Sequence, residues 1–106
     1  MTELISSIAK TLLSRDWTLC TAESCTGGMV SSALTDLSGS SQWFERGFVT
    51  YSNHSKIEDI NVPSNLIDQF GAVSVEVAEA MAKGALLKAN TNLSLAITGV
   101  AGPTGG

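Results

Sequence analysis

Two short polar segments of this sequence hold side chains that are able to catalyse a reaction. The segment ESCTGG (23–28) carries a serine and a cysteine, and YSNHSK (51–56) carries a tyrosine, the single histidine and a lysine. A serine attacks a carbonyl carbon efficiently only when a neighbouring base removes its proton. His54 and Lys56 are both able to act as that base, so the pattern indicates nucleophilic catalysis at Ser24.

A lysine base has to meet an energetic condition. Lys56 must be neutral to accept a proton, so its pKa has to fall from about 10.4 to about 7–8. Such a shift corresponds to about 4 kcal/mol and requires burial or a nearby positive charge. Tyr51 is placed to relay the proton or to orient the lysine. On spacing alone, simpler interpretations stay open: Lys56 and His54 as exposed residues, and Ser24 and Thr26 as helix caps.

The cysteines offer a rival nucleophile but no metal site. Cys25 would precede a helix N-terminus, where the pKa of a thiol falls. Cys20 is expected to be a small buried strand residue. Two cysteines and one histidine are fewer than the four ligands of a structural zinc site, so we expect no metal.

Glycines are concentrated in the first polar segment and near the C-terminal end of the sequence. A third polar segment, TGVAGPTGG (98–106), is rich in glycine, which permits close approach to a nucleotide or sugar phosphate. It lacks the GK[ST] ending of a P-loop. Gly27 and Gly28 permit a similar approach in the first segment. The free N–H groups at the start of the following helix are expected to hold a phosphate or an oxyanion.

The surrounding pattern predicts an α/β fold. Short runs rich in β-forming residues predict strands over 17–22, 44–52 and 93–98. Apolar spacing and caps predict helices over 3–15 with Thr2 as N-cap, over 29–37, and over 75–89 with Ser74 as N-cap and Asn90 closing it. Two short helices are also predicted, one that ends at Ile60 with an N-cap among residues 52–55 and one opened by Pro63 and Ser64 and closed by Gly71. Each polar segment follows a strand. In a parallel sheet the loops beyond the carboxyl ends of the strands meet at one edge, so the three segments are expected to converge.

Composition limits the class of protein. The 106 residues carry 6 basic and 10 acidic side chains, a net charge of −4, which argues against nucleic-acid binding. With 43% hydrophobic and 15% charged residues the chain is able to bury a core. It has neither an apolar run near the roughly 18 residues of a membrane helix nor a recognisable signal peptide. We therefore expect a cytoplasmic protein with no membrane partner.

Four segments in order resemble the CinA C-terminal domain family: TAESCTGG (21–28), FERGFVTYSNHSK (44–56), GAVSVEVAEAMAKGA (71–85) and AITGVAGPTGG (96–106). The resemblance extends from the first helix to the last residue. It implies one domain over 1–106, with a three-layer α/β/α fold and a mixed, mostly parallel sheet. It also implies an amidohydrolase that converts nicotinamide mononucleotide to nicotinate mononucleotide and ammonia by a Ser/Lys mechanism, with no cofactor and no metal.

The resemblance also assigns site residues. It implies Ser24 as the nucleophile, Lys56 as the general base and Tyr51 as the assisting hydroxyl. The family motif does not fix the position of His54. The geometry of the chain, rather than the resemblance, is the basis for expecting contacts to the mononucleotide from Cys25, Thr26, Gly27, Gly28, Thr98, Gly99 and Gly102.

Members of this family normally continue beyond GPTGG. We therefore expect the domain to be incomplete at its C-terminus, with an open sheet edge that favours a homo-oligomer. A non-catalytic or truncated nucleotide-binding CinA-like protein is the alternative to an enzyme.

Overall fold

The computed structural model of the protein describes residues 2–100, in which five helices, one short 3-10 turn and three strands follow one another. In chain order they are α1 (Thr2–Arg15), β1 (Leu19–Glu23), α2 (Met29–Thr35), the 3-10 turn (Ser40–Gln42), β2 (Phe44–Val49), α3 (Asn53–Ile60), α4 (Ser64–Phe70), α5 (Val75–Ala89) and β3 (Leu93–Ile97). Every predicted helix and strand is present. Thr2 was expected to cap α1 but is its first helical residue, a shift of one position that is common at helix ends.

The three strands form a parallel sheet in the order β2-β1-β3, so β1 lies in the centre. The mixed sheet implied by the resemblance is not seen within residues 2–100, where all pairing is parallel. Glu23, the last residue of β1, pairs with Val49 on one side and Ile97 on the other. The carboxyl ends of all three strands therefore meet at one edge.

Alternating side chains of β1 divide the core into two parts. Cys20 and Ala22 face a cluster built on α3, α4 and α5, which includes Ile60 and Met81. Leu19 faces the opposite way, into a cluster built on α1 and α2. The result is the three-layer α/β/α arrangement. None of the helices in the described part of the chain is long and apolar enough to span a bilayer.

Local capping fixes the helices that border the carboxyl edge of the sheet. The Ser52 side chain accepts a hydrogen bond from the Ser55 N–H at 3.0 Å and so begins α3 immediately after β2. Ser74 accepts one from the Val77 N–H at 3.2 Å, which confirms it as the N-cap of α5. Asn90 ends α5 in the left-handed conformation, with a φ of 56°.

Candidate active site

Ser24 lies at the carboxyl end of the central strand and is 7% exposed. Its N–H donates to the Ile97 carbonyl at 2.9 Å, which continues the pairing of β1 with β3. The Thr50 N–H donates to the Glu23 carbonyl at 2.9 Å, which continues the pairing with β2. Ser24 is therefore held between the ends of both neighbouring strands, close to the loop that leads into α3.

Lys56 reaches Ser24 from the first turn of α3 and is only 1% exposed. Its Nζ lies 3.1 Å from Ser24 Oγ, 3.0 Å from the Thr50 carbonyl oxygen and 3.2 Å from the Tyr51 carbonyl oxygen. No carboxylate of residues 2–100 forms an ion pair with it. Burial lowers the pKa of Lys56, and the nearby Cys25 opposes this to a smaller extent. The interpretation of Lys56 as an exposed surface residue is therefore wrong.

His54 does not take part in this arrangement. Its side chain is 81% exposed, and its Nε2 lies 3.0 Å from Glu58 Oε2, one turn along α3. A serine-histidine pair would require His54 to turn inward, where Lys56 already occupies the place beside Ser24. The simpler interpretation of His54 as an exposed residue is confirmed.

Tyr51 contributes its main chain rather than its hydroxyl to the Lys56 contacts. The residue is 66% exposed and lines the cleft in front of Ser24. Because Lys56 Nζ meets Ser24 Oγ directly, proton transfer between them needs no relay. An assisting role for the Tyr51 hydroxyl stays a prediction.

A cleft of about 330 Å³ opens over the Ser24–Lys56 pair, which is within the usual range for small-molecule sites. The Thr98 hydroxyl donates to the Ala72 carbonyl at 2.8 Å and so joins the end of β3 to the α4–α5 loop. A second, more open cleft of about 420 Å³ adjoins the first, and Val73 and Thr98 line both. The residues lining the first cleft are Ser24, Cys25, Tyr51, Asn53, Lys56, Ala72, Val73, Thr98, Gly99 and Val100.

Four of these lining residues were missed by sequence reasoning: Asn53, Ala72, Val73 and Val100. Val73 was the detectable one, because the sequence places an apolar residue in the short loop between Gly71 and the predicted N-cap Ser74. In the structure its side chain is 56% exposed. The approach of the α4–α5 loop to the end of β3 joins residues 26 positions apart, which no local pattern indicates.

The start of α2 is already occupied by an anion from within the chain. The Glu23 carboxylate accepts hydrogen bonds from the N–H groups of Gly28 at 3.2 Å, Val30 at 2.9 Å and Ser31 at 2.8 Å. This corrects the expectation that these N–H groups hold a ligand phosphate. It also corrects the interpretation of Ser24 and Thr26 as caps of α2, because neither side chain accepts a hydrogen bond from this helix.

Comparison with known proteins identifies the family. The family model of the CinA C-terminal domain matches residues 1–106. The chain belongs to this family. It is 46% identical to nicotinamide-nucleotide amidohydrolase PncC of Enterobacter agglomerans and 49% identical to PncC of Escherichia coli K12. Each match extends over 104 residues, which are 98% of this chain and 63% of the relative.

Two further relatives support the assignment to the CinA family. A CinA-like protein of Geotalea daltonii is 57% identical over 89 residues, which are 84% of this chain and 22% of that protein. The crystal structure of the competence/damage inducible protein CihA from Agrobacterium tumefaciens superposes with a TM-score of 0.94 at 44% identity, covering 98% of this chain and 63% of that one. The chain thus spans less than two thirds of the length of these relatives.

Within this CinA domain, the structure brings together part of the predicted site. Cys25, Thr98 and Gly99 line the cleft beside Ser24 and Lys56. Thr26, Gly27 and Gly28 are not among the lining residues, because their turn faces Glu23. Gly102 lies outside the described residues. No cluster of metal-ligating side chains is found in the part of the chain that the structure describes.

Proposed function

We propose that the domain is an amidohydrolase that converts nicotinamide mononucleotide to nicotinate mononucleotide and ammonia, with Ser24 as nucleophile and Lys56 as general base, in the cytoplasm. The observation that carries the proposal is the 3.1 Å contact between Lys56 Nζ and Ser24 Oγ, both buried at the floor of a cleft. The names of the PncC relatives support the choice of substrate.

The partners of Lys56 allow it to act as a base. A neutral amine has two N–H donors and one lone pair, whereas carbonyl oxygens only accept. The carbonyls of Thr50 and Tyr51 take the two N–H donors, at 3.0 and 3.2 Å. In the structure Lys56 Nζ donates to Ser24 Oγ at 3.1 Å, and Ser24 Oγ donates to the Tyr51 carbonyl at 3.4 Å. For proton transfer the Ser24 hydroxyl turns to donate to the lone pair of the neutral amine. Burial, which lowers the pKa of Lys56, favours the same neutral form.

The proposed reaction has two halves. Lys56 takes the proton of Ser24 as Oγ attacks the carboxamide carbon, and it then gives this proton to the departing ammonia as the carbon–nitrogen bond breaks. Water attacks the resulting acyl-serine ester, with its proton passing to Lys56. The ester bond breaks, Ser24 recovers a proton from Lys56, and nicotinate mononucleotide leaves.

The oxyanion of each tetrahedral intermediate needs hydrogen-bond donors beside Ser24. The Gly27 N–H is taken by the Ser24 carbonyl at 3.1 Å, and the Gly28 N–H by Glu23. The N–H groups of Cys25 and Thr26 have no acceptor among residues 2–100. We assign the oxyanion site to the Cys25 N–H, because Cys25 lines the cleft and Thr26 does not, and the ribose and phosphate to the loop that begins at Thr98 and Gly99.

Measuring ammonia released from nicotinamide mononucleotide tests the proposal. Wild-type protein is expected to release ammonia in equal amount to nicotinate mononucleotide, and Ser24→Ala is expected to lower kcat by about 10⁴-fold or more, as loss of a catalytic serine does. Ser32→Ala, an exposed serine on α2, is the matched control and should retain full activity. No release by the wild type, or equal release by Ser24→Ala, would leave a non-catalytic nucleotide-binding domain as the better description.

A further inference from the structure

We infer that Glu23 is a positioning residue, which holds the turn 24–28 so that the Ser24 hydroxyl and the Cys25 N–H face the cleft. The inference rests on the proposed role of Ser24 as nucleophile. Glu23 does not line the cleft and touches no part of the expected substrate. Its effect has to be transmitted through the turn that it holds.

The Glu23 carboxylate is fully buried and accepts five hydrogen bonds. Oε1 accepts from Thr26 Oγ1 at 2.6 Å, from the Gly28 N–H at 3.2 Å and from the Val30 N–H at 2.9 Å. Oε2 accepts from the Ser31 N–H at 2.8 Å and from Ser31 Oγ at 2.6 Å. No cation of the described residues pairs with it, so hydrogen bonds and the positive end of α2 stabilise the charge.

These bonds keep the carboxylate ionised. Burial alone raises the pKa of Glu23, but the hydrogen bonds from Ser31, Thr26 and the main chain outweigh it and lower the pKa to about 2. The carboxylate is therefore charged at every pH at which a lysine base is able to work. It is a permanent support for the turn and does not exchange protons during the reaction.

The same bonds determine which N–H groups remain free. Residues 24–28 join β1 to α2 through two consecutive glycines in the left-handed region, Gly27 with a φ of 58° and Gly28 with a φ of 108°. Such a turn is flexible in isolation. With Thr26 Oγ1 and the Gly28 N–H fixed on Glu23, Cys25 is held next to Ser24 in the lining of the cleft, and its N–H keeps no acceptor among residues 2–100.

The support continues into the sheet. Ser31 Oγ lies 2.7 Å from Thr21 Oγ1 on the same face of β1 as Glu23. Gly47 of β2 provides the space for this hydroxyl pair, since a Cβ there would collide with Ser31 Oγ and lie 2.7 Å from Thr21 Oγ1. Polar side chains at this place in the α2 layer stabilise the core less than apolar ones would. In our inference, the hydroxyls of Thr21 and Ser31 are present because they help to hold Glu23 and the turn that follows it.

Glu23→Gln tests the inference with little change of shape. The amide oxygen is able to keep the bonds of Oε1, but the amide NH₂ then faces the Ser31 N–H, and two donors meet. We expect kcat for nicotinamide mononucleotide to fall by about 10- to 100-fold with KM within about threefold, because misplacement acts on the transition state. Ser31→Ala, which removes one of the five donors, should lower kcat by about two- to fivefold, again through kcat.

Leu34→Ala is the control for a merely structural role, because Leu34 is buried on α2 and makes none of these hydrogen bonds. It should destabilise the protein and leave kcat unchanged at a temperature where the protein is folded. Equal losses of kcat in Glu23→Gln and Leu34→Ala, or a rise in KM with kcat unchanged, would overturn the inference.

Labelling of Ser24 by a fluorophosphonate separates failure of this inference from failure of the proposed function. If wild type labels but releases no ammonia, the proposed substrate is wrong, and slower labelling of Glu23→Gln still supports positioning. If wild type releases ammonia and Glu23→Gln labels and turns over equally fast, the positioning role is wrong and the function stands. If wild type neither labels nor releases ammonia, both fail.

Discussion

Lys56 is held by main-chain carbonyls rather than by a carboxylate, and this choice of partners determines its chemistry. A carboxylate at the same distance would stabilise the ammonium form and raise its pKa. Carbonyl oxygens bind the amine without adding a full negative charge, so burial dominates and the pKa of Lys56 falls. A buried lysine in such surroundings is suited to accept a proton at a lower pH than an exposed lysine.

The pH dependence of kcat/KM should therefore report Lys56. Activity requires the neutral amine, so kcat/KM should rise with pH along a limb of unit slope. Since the pKa is lowered, the midpoint should lie below 10.5, the ordinary value. Lys56→Arg keeps the charge and the donors but stays protonated, so we expect a loss of at least about 100-fold and no such limb. Rates measured with nicotinamide mononucleotide from pH 5 to pH 10 check this.

Two outcomes would contradict a lysine base. One is a flat acid limb in the wild type over the whole range. The other is an unchanged limb in Lys56→Arg, which would assign the titration to a different group. His54→Gln is the matched control, because His54 is exposed on the same helix, and its profile should coincide with that of the wild type.

At the scale of elements, the position of α3 depends on its close contact with α5. Gly84 lies in the interior of α5, where glycine costs about 1 kcal/mol relative to alanine. A Cβ at this position would collide with the carbonyl oxygen of Ile60, the last residue of α3. The Cβ is bonded directly to the main chain of α5, and the carbonyl oxygen belongs to the main chain of α3. The collision can therefore be avoided only if the two helices move apart. Lys56 lies one turn before Ile60 on the helix that would move.

Gly84→Ala should consequently destabilise the protein even though alanine favours a helix. We expect a loss of about 1–3 kcal/mol in the free energy of unfolding, typical of overpacking, together with a lower kcat as Lys56 shifts from Ser24. Urea denaturation and the ammonia assay measure the two effects. Lys83 is an exposed neighbour on α5. Lys83→Ala should change the free energy of unfolding by no more than about 0.5 kcal/mol and leave kcat unchanged. A stabilised Gly84→Ala variant would show that the helices separate without cost.

The elements were predictable because their signals are local. Apolar spacing, the Ser74 cap and the short β-rich runs each lie within one segment, and the structure confirms them. Of the four candidate caps among residues 52–55, the structure selects Ser52. The prediction for the start of α2 was wrong. Its N–H groups donate to the carboxylate of Glu23, which belongs to the preceding strand. Sequence rules for helix caps consider only residues next to the helix, such as serine or threonine. The burial of Lys56 was likewise invisible, since it results from packing between α3 and the end of β1.

At the scale of the whole molecule, charge does not guide an anionic ligand to the cleft. The chain carries a net charge of −4. Lys56 is the single lysine or arginine among the residues that line the cleft in the described structure, and a base has to be neutral when it acts. The mononucleotide is itself anionic overall, because its phosphate outweighs the pyridinium charge. Long-range interaction between the protein and the proposed substrate is therefore repulsive and weakened by salt.

The ionic-strength dependence of kcat/KM should carry the corresponding sign. Raising salt from about 0.01 M to about 0.1 M shortens the Debye length from about 30 Å to about 10 Å, so kcat/KM for nicotinamide mononucleotide should rise or stay level. Nicotinamide riboside, which lacks the phosphate and is cationic, is the matched compound for comparison. Its kcat/KM should fall with rising salt, whereas that of the mononucleotide should rise or stay level. A steep fall for the mononucleotide would mean that positive groups outside the cleft lining attract the phosphate, and the cleft between β1, α3 and β3 would then hold only the amide end of the substrate.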